Sequence, residues 1–139
     1  MKIEQIKGRL LLKKPKIIDP LNETETIKDV MIVDGKIEKI GIIDAENDIN
    51  FIDCNGLILT HGFCDLHVHF RDPGNGDKET LKSGCESALA GGFTRVCTMP
   101  NTEPPIDSPE LINYIIESTK NLPVHVHPIG SVTKGQAGL

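Results

Sequence analysis

Apolar residues follow two different rhythms along the chain. Up to about residue 60 they come in short runs broken by turn residues; beyond it, strand-like runs alternate with stretches at helical spacing. In the first part, a run over residues 10–18 meets a turn at Asp19-Pro20, and the polar stretch 22–26 loops out. Residues 30–33 and 37–43 then flank Asp34-Gly35, the strongest short hairpin signal in the chain. A loop at 45–48 precedes apolar runs at 51–54 and 57–59, separated by Asn55-Gly56. The pattern predicts a small antiparallel β unit over residues 1–60, without any cluster of catalytic type, and assigns it a scaffolding part.

Residues 61–139 read as strand, helix, strand, helix, strand. Asp77 is a suitable N-cap for a helix over about 78–90, with Leu81, Cys85 and Leu89 on one stripe and Gly91-Gly92 as its stop. Residues 93–99 form the next strand. Ser108 caps a second helix with Pro109 at its first position, and Leu111, Ile112, Ile115 and Ile116 mark its buried face. Residues 122–129 are a third strand. Such alternation implies parallel strands joined by right-handed crossovers, an α/β arrangement.

The first of these strands carries the chemistry. In Gly62-Phe-Cys-Asp-Leu-His-Val-His-Phe-Arg-Asp-Pro-Gly74, simple alternation puts Cys64, Leu66, Val68 and Phe70 on one face and Asp65, His67, His69 and Arg71 on the other. Asp72-Pro73-Gly74 then ends the ladder. Side chains two apart on a strand stand roughly 6.5 Å apart at the backbone, so two imidazoles can lean onto one metal ion. A lone His-x-His is common by chance. Here a carboxylate and a guanidinium share the face, and the strand ends in a turn, where function concentrates. If the strands close into a (β/α) barrel, His69, Arg71 and Asn101 meet at its C-terminal mouth.

Composition narrows the classes. Of 139 residues, 38% are hydrophobic and 25% charged, ordinary for one domain. The net charge of −5 is spread evenly, with 11 acidic against 9 basic residues in 1–60 and 9 against 6 thereafter. Without a basic patch, nucleic acid and anionic membrane are poor partners. The first seven residues hold no apolar signal core, and no run approaches a membrane span. Cysteines 54, 64, 85 and 97 lack Cys-x-x-Cys spacing and sit in apolar patterns, which fits structural thiols in a reducing, cytoplasmic setting.

The run from Asp65 to Gly74, Ala90-Gly-Gly-Phe-Thr94, and Met99-Pro-Asn101-Thr102 closely resemble the N-terminal part of dihydroorotases, of the amidohydrolase superfamily. The resemblance extends over nearly the whole chain, including Val33-Asp-Gly35-Lys-Ile and Thr133-Lys-Gly135. His-x-His marks only the superfamily; Arg71 with Asp-Pro-Gly, and Met-Pro-Asn-Thr, are more specific, and allantoinases and hydantoinases look different there.

The resemblance implies the N-terminal part of a (β/α)8 barrel over residues 61–139, preceded at 1–60 by part of a composite β-sandwich domain. It implies His67 and His69 as zinc ligands, with one or two ions in a complete site. His69, Arg71 and Asn101 would bind the substrate, the last two by its carboxylate. The implied reaction is zinc-dependent reversible cyclisation of N-carbamoyl-L-aspartate to L-dihydroorotate in pyrimidine biosynthesis. The alternative is a non-catalytic dihydroorotase-like subunit supporting aspartate transcarbamoylase; retention of all four residues favours the enzyme. A homo-oligomer or a complex with aspartate transcarbamoylase is the implied assembly. Asp65 stays open between a partner for a histidine and a plain hydrogen-bonding carboxylate.

Two features depart or mislead. His61 stands where such enzymes usually have proline, and it reads as structural. His125-Val-His127 is a second His-x-His, but the family takes no ligand from its third strand, and Val124 and Val126 alternate with these histidines as in any barrel strand. The resemblance also places the bridging ligand, two further histidines and the catalytic aspartate beyond Leu139, so no catalytic residue is expected here. A barrel needs eight strands and ~250 residues. The expectation is an N-terminal portion, fragment or split piece, inactive without a C-terminal remainder.

Overall fold

The computed structural model describes residues 7–44 and 49–138; the loop expected at 45–48 lies outside them. Two compact units divide the chain, Met1–His61 and Gly62–Leu139. In the first, β1 (Arg9–Lys13), β4 (Asp29–Val33), β5 (Lys36–Gly41) and β6 (Asn50–Asp53) form a sheet ordered β5-β4-β1-β6. A second sheet, β3-β2-β7, contains β2 (Lys16–Asp19), β3 (Thr24–Ile27) and β7 (Ile58–Leu59). Leu11, Val30, Met31 and Cys54 are the buried apolar residues of this unit.

Three expectations for this unit need correction. The run at 10–18 is two strands, because Lys14 takes a left-handed φ of 55° and buried Pro15, which has no N–H to give a ladder, follows it. Residues 24–27, of which 24–26 are expected as loop, pair antiparallel with β2; threonine is polar yet β-branched, and the strand preference prevails. The unit is mixed rather than antiparallel, since β6 runs parallel to β1 and β7 parallel to β2. The hairpin is as expected: Asp34 and Gly35 both have positive φ, 48° and 78°, as a two-residue turn matched to strand twist requires.

The second unit runs β8 (Phe63–Val68), α1 (Leu81–Ala90), β9 (Phe93–Thr98), α2 (Pro109–Thr119) and β10 (His125–Pro128), with a 3₁₀ turn at Lys134–Gln136. The strands form one parallel sheet, ordered β10-β9-β8. Phe70, Leu81, Cys85, Val96, Ile106, Ile115 and Val124 form the core between sheet and helices. Burial pushes the Cys85 thiol up to about 11, so it is an inert core group. Among the described residues no helix is long and apolar enough to cross a membrane.

Helix α1 starts later than expected. Asp77 is not its cap; Thr80 is, accepting the Ser83 N–H at 3.0 Å while Ser83 Oγ accepts the Thr80 N–H at 2.9 Å. The preceding residues fold back on the end of β8, with the Asn75 N–H donating to the Arg71 carbonyl at 2.8 Å. On α2, Ile115 is buried but Ile116 is 43% exposed, and Thr119 takes the inner position instead.

Phe70 fixes α1 against the sheet. A Cβ on Gly84 would stand 2.4 Å from its ring, so only a glycine lets the ring reach the helix backbone. Gly84→Ala should therefore displace Phe70 and destabilise the fold by about 1–3 kcal/mol. The denaturant midpoint checks this; an unchanged midpoint would mean that the ring is not seated there.

Candidate metal centre

The strand bearing the two histidines is not regular. Asp65 pairs with Val96 and Val68 with Thr98, so three steps along β8 match two along β9. One extra residue is accommodated at Leu66-His67, a bulge. Paired neighbours in a sheet share a face. Asp65 and Val68 thus lie on the face of Val96, which belongs to the core. The expected alternation is therefore interrupted between Asp65 and His67: Asp65 lies on the α1 side, where it lines a cavity of about 280 Å³ with Val68, His69, Phe70, Gly84 and Val96. Its Oδ1 accepts the His67 backbone N–H at 3.0 Å.

Past the bulge the two imidazoles meet. His67 Nε2 and His69 Nε2 face each other at 3.0 Å, with ring centroids 4.9 Å apart and planes inclined at 61°. Two nitrogens held by one zinc at 2.0–2.1 Å with a tetrahedral angle stand about 3.3 Å apart, so the pair fits two corners of such a site. The tautomer agrees. Asn101 Oδ1 lies 2.8 Å from His69 Nδ1 and can only accept, so Nδ1 carries the proton and the Nε2 lone pair is left for an ion. Both rings are exposed. Among the described residues no third histidine, cysteine or carboxylate joins them to complete a metal cluster.

Arg71 and Asn101 come from the loops that follow β8 and β9. Arg71 is exposed, and its guanidinium has no ion-pair partner among the described residues. The loops are joined at the backbone: the Glu103 N–H donates to the Pro73 carbonyl at 3.1 Å. Gly74, at φ 104°, passes so close that a Cβ there would lie 2.2 Å from the Glu103 carbonyl oxygen. A third loop is tied on by Asp107, whose Oδ2 accepts the Gly135 N–H at 2.6 Å and which faces Lys134. That N–H, more than the lysine, holds the Asp107 carboxyl below its usual value.

Tyr114 was not foreseen. From α2 its hydroxyl donates to Asp72 Oδ1 at 3.0 Å, one residue from Arg71. No spacing rule could have paired them, since the contact spans 42 residues. His125 and His127 stay apart from the pair, in register with Arg95 and Cys97 on β10. His61 belongs to the other unit.

Residues 56–138 match the dihydro-orotase-like family, a stretch that includes His67, His69, Arg71 and Asn101. The chain belongs to that family. The dihydroorotase of Citrifermentans bemidjiense is 46% identical over 131 residues, 93% of this chain and 31% of its own length. That of Aquifex aeolicus is 43% identical over 131 residues, 94% of this chain and 31% of its own. The chain thus spans about 30% of the length of the curated relatives it matches. Among solved structures, the L-hydantoinase (dihydropyrimidinase) of Arthrobacter aurescens has a TM-score of 0.72 at 25% identity, over 90% of this chain and 28% of that one.

The hydrogen bond to Asp72, before burial, holds the Tyr114 hydroxyl above its ordinary value. A raised value in the folded state means the contact stabilises below the unfolded value, about 10, and is lost as pH rises through the folded one. Tyr114→Phe should cost about 0.5–1.5 kcal/mol at neutral pH. The difference between the two proteins should shrink in alkaline solution, measured by unfolding across a pH series; a difference independent of pH would rule out the bond as its source.

Proposed function

We propose that this chain supplies the first-strand metal ligands and the carboxylate-reading loops of a dihydroorotase. The observation that carries the reading is the convergence of His67 and His69 Nε2 beside Asn101, with Arg71 lacking an ion-pair partner among the described residues at the same strand ends. The parallel sheet would be the first three strands of a (β/α)8 barrel, whose reactive groups gather at that end. Exposed Leu66 on β8, and Phe51 and Ile37 in the first unit, support further strands packing over both units, the latter as part of a β-sandwich.

His67 and His69 would hold zinc through Nε2. When bound, zinc supplies a Lewis acid and an activated water near neutral pH. Arg71 offers a planar fork for a substrate carboxylate, fixing the orientation of a cyclic amide in a way a point charge does not. Asn101 adds its amide N–H pair, its oxygen being taken by His69. The remaining ligands and the catalytic carboxylate would come from sequence beyond these residues, in the soluble, small-molecule setting that composition suggests.

In the complete enzyme, His67→Ala should abolish turnover and lower zinc content with the fold retained, whereas His125→Ala should leave zinc content unchanged. Elemental analysis beside circular dichroism checks this, and full activity in His67→Ala would sink the ligand assignment. Arg71→Lys keeps the charge and loses the fork. Transition-state stabilisation should fall by about 1.5–3 kcal/mol, the worth of a charge-assisted hydrogen bond. Kinetics with a substrate analogue lacking the carboxylate should show a much smaller loss; equal losses would mean that Arg71 holds something else.

A further inference from the structure

The metal reading leaves one nearby carboxylate without a part. Asp65 is two residues before His67, is half-buried, and lies on the core face of β8, lining one cavity with Val68, His69 and Phe70. A carboxylate so placed ordinarily costs stability unless its oxygens are used. One of them is: Oδ1 takes the His67 N–H at 3.0 Å, inside the step where β8 gains a residue over β9.

The consequence lies in what that step does to His67. In a bulge the extra residue is left unpaired and its backbone bends, so its direction is not set by the ladder alone. His69 is tied from its ring, through Nδ1 to Asn101. No comparable ring partner other than His69 holds His67 among the described residues; its ring makes the Nε2 contact, and its backbone N–H donates to Asp65. We propose that Asp65 is a positioning residue of the metal centre: by capping the His67 N–H it sets the bulge, and so places the His67 imidazole at the separation from His69 that a shared ion requires. The acceptor oxygen matters here, and the negative charge does not. The inference rests on the metal reading above and adds to it how the first ligand is aimed.

The test uses the complete enzyme and reads zinc affinity by competition with a chromophoric chelator, alongside thermal unfolding. Asp65→Ala removes the acceptor and should weaken zinc retention about 10–100-fold, the usual effect of losing a group that orients a ligand. Asp65→Asn keeps an accepting oxygen at the same reach and should stay close to the parent. Asp65→Glu keeps the charge but lengthens the side chain, and should lose affinity like Asp65→Ala. The Asn and Glu variants decide the matter even if Asp65→Ala does not fold. Ile115→Val, in the same core and remote from the bulge, should lower the unfolding temperature without changing zinc affinity. Unchanged affinity in Asp65→Ala, or loss in Asp65→Asn with retention in Asp65→Glu, would overturn the proposal. His67→Ala separates the two levels: unchanged zinc there counts against the metal reading itself, whereas loss there with none in Asp65→Ala counts against Asp65 alone.

Discussion

The site depends on a misaligned step between two parallel strands, the second of two register shifts along the pair. β8 fits an extra residue between Asp65 and Val68, and every side chain after it changes its relation to β9. Without that step, strict alternation would put Asp65 on the same face as both imidazoles. With it, the face exposed beside Asn101 holds two imidazole nitrogens 3.0 Å apart, and the carboxylate is spent on a backbone N–H. Bulges re-aim side chains next to active sites in many folds. The rest of the second unit keeps this one in place. Phe70, three residues beyond His67, is clamped against Gly84, and the strand cannot slide without moving that ring.

Much of this was legible in the residues, and the failures share a cause. The order of strands and helices after residue 61 follows from periodicity, because apolar burial imposes it. The His67–His69 pair and the placement of Asn101 near it followed from two-residue spacing and from strand ends meeting at one edge. What alternation could not show was its own interruption: nothing in Asp65-Leu-His67 signals that the pleat skips. The late start of α1 was missed for a similar reason. Asp77 and Thr80 are both good caps, and the choice went to Thr80 because Ser83 closes a reciprocal box with it. The Tyr114–Asp72 contact needed the third dimension outright. In the first unit the polar Thr24–Ile27 strand was hidden by composition, although β-branching favoured it.

Rigid and adaptable parts divide the work. The histidines come from β8 and the residue following it, on a sheet backed by buried Val96 and Val124. The proposed carboxylate readers come from loops, where chemistry can vary without cost to the core. Asn101 bridges the two, since its oxygen orients His69 while its N–H pair stays available.

The loops after β8 and β9 are not free to vary separately. Gly74 lies against the Glu103 backbone, and Glu103 returns a hydrogen bond to Pro73. An insertion in either loop would break a contact made by the other, and any side chain at position 74 would collide with a carbonyl oxygen. As the proposed carboxylate readers, Arg71 and Asn101 would therefore behave as one jaw of fixed gape. A lineage seeking a larger or smaller substrate at this edge has little to gain from changing loop length; it must exchange the side chains themselves, or leave this jaw alone and remodel whatever closes against it.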